Sequence, residues 1–153
     1  MARDGRDRLA EEAWEALARA QTALMRRFQE DFRNEEISMR EYDVLFTLAR
    51  CPAGSRLRDL SEHVLLSQPG ISRLVERMAQ TGLVSREDAA GDRRGTVVRL
   101  TSRGRDVLRR VGRAHAAAIQ RYVGSALDPD ELRTLRDLAV RLRAAQAPGK
   151  LPP

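Results

Sequence analysis

The chain has 153 residues, 42% hydrophobic and 33% charged, with 28 basic residues against 22 acidic and a formal net charge of +6. That length bounds it to one domain-sized unit with enough apolar residues for a core. It carries no long uncharged apolar run, which excludes a transmembrane helix. The first twenty residues mix both charge signs without an apolar centre, so no signal peptide is expected and the protein reads as cytoplasmic.

The first segment reads as one long helix, with Leu9, Ala13, Leu17, Leu24, Phe28 and Phe32 on one stripe. Acidic Glu11, Glu12 and Glu15 precede Arg26 and Arg27, as the helix dipole favours. Such a length exceeds the globular mean of about 11–12 residues, which implies packing against more than its own small domain. A second helix runs from Met39 to Arg50 and is stopped by Cys51-Pro52 and Gly54. A short third covers Leu57 to His63, and a fourth covers Gln68 to Thr81. Ser67 suits its N-cap, Pro69 its first turn and Gly82 its end. Leu83–Arg86 and Thr96–Leu100 read as two short strands joined by a polar, glycine-bounded loop. Thr101 then caps a second long helix with a stripe from Val107 to Tyr122. Asp128 caps the last helix, which carries Leu132, Leu135, Leu138 and Leu142. The tail after Ala147 holds three prolines in six residues and is expected to fray.

Charge follows this order. Residues 1–55 hold 9 basic and 11 acidic residues, residues 56–105 hold 10 and 6, and residues 106–153 hold 9 and 5. The positive excess therefore begins with the short elements. A basic balance points to polyanions, nucleic acid foremost, though weakly by itself.

Three short helices followed by a hairpin give the layout of a winged helix-turn-helix. The short turn Val64-Leu65-Leu66-Ser67 makes the third and fourth helices cross steeply. In such a unit the fourth helix enters the DNA major groove. Its leading half offers Ser67, Gln68, Pro69, Gly70, Ser72 and Arg73, with Leu74, Val75 and Met78 inward. Arg77, one turn beyond Arg73, suits either a phosphate contact or a pair with Glu76. Adjacent Arg93 and Arg94 stand at the hairpin tip, where a wing can reach the minor groove. Asp92 suits holding one of their guanidinium groups or pairing with Arg86 across the hairpin. The plainer alternatives are a solvated turn for Arg93 and Arg94 and an ordinary surface helix for residues 68–81.

The runs Gly82-Leu83-Val84-Ser85-Arg86, Asp92-Arg93-Arg94-Gly95 and Leu100-Thr101-Ser102-Arg103-Gly104 resemble the wing signature of MarR-type (multiple antibiotic resistance) regulators. The stretch from Leu60 to Met78 is similar to that family's helix-turn-helix. The resemblance implies a mainly α fold with a small β-wing and a helical dimerisation region. Residues 1–36 would form an N-terminal dimerisation helix, 37–104 the DNA-binding unit, 105–147 the C-terminal dimerisation helices and 148–153 a disordered tail. It implies a homodimeric, sequence-specific regulator of double-stranded DNA, a ligand-released repressor on a pseudo-palindromic operator. Its effector would be a small aromatic or phenolic anion held between the dimerisation helices and the DNA-binding unit. By resemblance to urate-responsive members, Trp14, Arg58 and Asp59 are candidates for that pocket, with dimer-core packing the alternative for Trp14.

Two other readings fit parts of the sequence. A non-specific architectural DNA-binding protein needs only charge and a dimer. A redox sensor would act through Cys51, the lone cysteine, which more often fills a core. One cysteine excludes an internal disulfide and a cysteine-based zinc site, and His63 and His115 are too few and too far apart for a metal cluster. No phosphate loop or catalytic constellation is legible, so neither an enzyme nor a cofactor is expected.

Overall fold

The computed structural model describes residues 5–64, 68–88 and 95–146. They fall into two compact units, one through His115 and one from Ala116.

Helix α1 (Gly5–Phe32) carries the ion pairs Arg8–Glu12 (3.0 Å) and Arg19–Glu15 (2.7 Å). Of its apolar stripe only Phe28 and Phe32 are buried. Helix α2 (Met39–Ala49) starts in a capping box: Glu41 N donates to Ser38 Oγ (3.3 Å) and Ser38 N donates to Glu41 Oε2 (2.7 Å). It buries Val44, Leu45 and Leu48.

Strand β1 (Ser55–Arg56) leads directly into α3 (Leu57–His63), followed by α4 (Gln68–Gln80), β2 (Val84–Asp88) and β3 (Thr96–Leu100). The sheet is antiparallel in the order β1-β3-β2. Here the structure corrects the two-stranded hairpin: β1 pairs with β3, Ser55 opposite Val98. Two polar residues cannot display a period-2 pattern, which is why this strand is invisible in the sequence. Gly54 makes it possible, at φ +86° and with no room for a Cβ beside Val97 and the Val98 carbonyl. Strand β2 also runs two residues beyond Arg86, and Glu87 there pairs with Arg99 (3.3 Å).

Helix α5 spans Ser102–Ile119 and passes into a π-helical turn, Gln120–Gly124, where the stripe to Tyr122 had suggested uninterrupted α-helix. Helix α6 (Pro129–Ala145) starts as expected. Asp128 Oδ1 accepts from the amides of Asp130 and Glu131, and Glu131 Oε2 accepts from Asp128 N.

The core of the first unit draws on every helix within it and on β2 and β3. Leu45, Leu48, Leu60, Ile71, Val75, Met78, Val98 and Val111 are all fully buried. Truncating one such leucine costs about 2–5 kcal/mol, so this cluster is what holds α4 in place.

Candidate nucleic-acid interface

Helix α4 divides into two faces. Ile71, Leu74, Val75 and Met78 recur at helical spacing and are buried. Arg73 and Arg77 point outward, while Gly70 and Ser72 are half-buried. Gly70, Arg73 and Arg77 lie three and four residues apart and so form one stripe. That stripe offers two guanidinium groups beyond a position without a side chain, which can approach a phosphate backbone and place donors at base edges. Gln68 and Pro69 belong to the first turn of α4, and Ser67 lies outside the described residues.

The C-terminal end of α4 is closed by Gly82 at φ +75°. Gly82 N donates to Ala79 O (3.0 Å) and Leu83 N to Met78 O (2.9 Å), a Schellman turn. On the wing, Arg86 is exposed on β2. Asp92, Arg93 and Arg94 lie outside the described residues. The ion pair that spans the sheet is Arg99–Glu87, and the Arg99 guanidinium also donates to the Ala53 carbonyl. Sequence reasoning missed this clamp, since nothing in the sequence announces β1 as Arg99's neighbour.

The candidates for an effector pocket are placed apart. Trp14 is 67% exposed, in a shallow groove whose lining comes from α1 alone. Arg58 and Asp59 pair with each other on α3 (3.3 Å). A groove between α2 and α5 combines apolar walls with charge: Leu48, Pro52, Leu100 and Leu108 beside Arg105 and Arg109, with half-buried Cys51 on its edge. Arg109 is paired with Asp106. Arg105 donates to neutral acceptors, the Leu100 carbonyl (3.1 Å) and Ser102 Oγ (3.5 Å). In hindsight the i,i+4 spacing of Arg105 and Arg109 around Leu108 was the available signal for this groove.

His63 is exposed, and its Nδ1–H donates to the Asp59 carbonyl (2.9 Å) within α3. His115 is different. Its ring packs edge-on against Phe28, Phe32 and Tyr42, at centroid distances of 5.0, 5.3 and 5.1 Å, and joins α1, α2 and α5. Its Nδ1 is buried without a hydrogen-bond partner. Burial pushes its pKa down, opposed by the nearby Asp31 charge. Burial likewise raises Tyr42 and Asp43. Among the described residues, no group of three or more His, Cys, Asp or Glu side chains is placed to hold a metal ion, and no helix is long and apolar enough to cross a membrane.

This architecture has known counterparts. A family model described as MarR family matches residues 36–95, the span from α2 to the wing. The HTH-type transcriptional regulator PecS of Dickeya dadantii (strain 3937) is 27% identical over 128 residues, covering 82% of this chain and 76% of PecS. The crystal structure of AbsC, a MarR family transcriptional regulator from Streptomyces coelicolor, is 27% identical with a TM-score of 0.74, over 88% of this chain and 94% of AbsC. Sco3205, a MarR family regulator from the same organism solved in complex with DNA, is 25% identical with a TM-score of 0.81, over 92% and 89% of the two chains.

Proposed function

We propose that the chain is a MarR-type transcriptional regulator that binds a pseudo-palindromic operator as a homodimer and represses until a small ligand releases it. The observation that carries this reading is α4: a helix with one buried apolar face and one exposed stripe of Gly70, Arg73 and Arg77, backed by a three-stranded sheet. An architectural protein needs the charge but not that ordered edge. In this reading Ser67, Gln68, Pro69, Gly70, Ser72, Arg73 and Arg77 face the major groove. Arg93 and Arg94 reach the minor groove, and Arg86 and Asp92 support the wing. The DNA complex of Sco3205 supports a duplex as the partner.

Two apolar faces support the homodimer. Leu9, Trp14 and Leu17 on α1 and Leu135, Leu138 and Leu142 on α6 are each 40% exposed or more. Apolar surface of that extent marks an interaction face, and a second copy offers the same stripes in return. For the ligand we assign the groove between α2 and α5. Its leucines suit a flat apolar body and Arg105, bonded to neutral acceptors, suits its anionic group. Arg58, already paired with Asp59, is the poorer anchor.

Selection of bound duplexes from a random library by the purified chain tests the reading. The expected product is an inverted repeat with half-site centres about one helical turn, about 34–36 Å, apart. Recovery of unrelated sequences at equal frequency would favour the architectural alternative.

A further inference from the structure

Thr101 and Gly104 occupy a joint that the DNA-contact stripe leaves unexplained. The Thr101 hydroxyl donates to the Gly82 carbonyl (2.7 Å), with the Leu83 carbonyl as a second acceptor at 3.0 Å. The same oxygen accepts from Gly104 N (2.9 Å), in the first turn of α5. Thr101 N donates to the Leu83 carbonyl as well (3.3 Å). One side chain therefore ties the turn that follows α4 to the first turn of α5. At Gly104 the backbones are pressed together: a Cβ there would lie well inside contact with the Leu83 carbonyl oxygen and 2.9 Å from Leu100 Cδ1.

We propose that Thr101 and Gly104 are positioning residues, forming a latch that fixes the angle of the recognition helix α4 against α5 and thereby the half-site geometry that the protein reads. Val107 and Val111 also tie α5 to the core, but apolar contact is non-directional and sets distance more than angle. The Thr101 bonds are directional. The angle matters because α4, at 13 residues, is a lever about 20 Å long. A tilt of about 10° at its C-terminal joint moves the leading end by about 3 Å, close to one base-pair step of 3.4 Å. The inference rests on the reading of the protein as a dimer that recognises two half-sites.

The test uses the full chain, the inverted repeat recovered from the random library, the same repeat with one base pair added between half-sites, and an unrelated duplex of equal length. Wild type is expected to lose at least tenfold in affinity on the spacing change. Thr101→Val should shrink that penalty by at least threefold while dimer mass and affinity for the unrelated duplex stay as in wild type. Thr101→Ser, which keeps the hydroxyl, should restore the wild-type penalty. Gly104→Ala should weaken operator binding further, and if it fails to fold the two Thr101 variants carry the test. An undiminished spacing penalty in Thr101→Val, or an equal loss on every duplex together with a lowered melting temperature, overturns the latch alone. A wild-type chain without any preferred duplex overturns the function, and the latch with it.

Discussion

Arg73 and Arg77 share an exposed stripe, yet they need not do the same work. Arg73, nearer the leading end of α4, is expected to read bases, so Arg73→Ala should cost about 1–3 kcal/mol on the operator and relax its sequence preference. Arg94→Ala should weaken operator binding by about 1–3 kcal/mol and leave the dimer intact. Anisotropy titrations against the operator and single-base variants check both, and an unchanged affinity for either variant removes that arginine from the interface. His115 makes a separate prediction. Its pKa in the folded protein lies below the ordinary 6.5, so as pH falls through that value the unfolded chain takes up the proton first and stability drops. The loss is complete once pH passes below the folded value. Thermal melts from pH 8 to 5 should show this decline, and His115→Phe should flatten it. The sequence only excluded His115 from a metal cluster, because nothing in spacing alone brings Phe28, Phe32 and Tyr42 around one ring.

At the scale of elements, what was legible had local causes. Asp128 followed by Glu131 spells a capping box, and the structure forms both of its bonds. Asp128→Ala should therefore cost about 0.5–2 kcal/mol, measurable by denaturant unfolding, with an unchanged midpoint contradicting the assignment. The end of α4 was equally readable, since Gly82 supplies the left-handed turn. What was hidden depended on distant neighbours. Strand β1 exists because Gly54 lets the chain lie against β3, and two residues leave no periodic trace. The sequence ends the first strand at Arg86 and places Asp88 in the loop, whereas pairing with β3 and the Arg99 ion pair extend the strand through Glu87 and Asp88. The α2–α5 groove escaped notice for the same reason: its walls come from segments some fifty residues apart.

For the whole molecule, the charge of +6 was the vaguest of the early signals, and position made it useful. The arginines of α4 stand on a buried scaffold, while the apolar stripes of α1 and α6 remain uncovered in the single chain. Replacing Leu138 by Glu should shift the protein toward monomer in sedimentation analysis and weaken the operator far more than an unrelated duplex. A stable dimer in that variant would exclude Leu138 from the interface. The central claim is sequence-specific recognition, and a pair of equilibrium titrations at physiological salt tests it most directly: the selected inverted repeat against a scrambled duplex of the same composition. A preference of about a thousandfold or more is the predicted result, and equal dissociation constants for the two duplexes would contradict it.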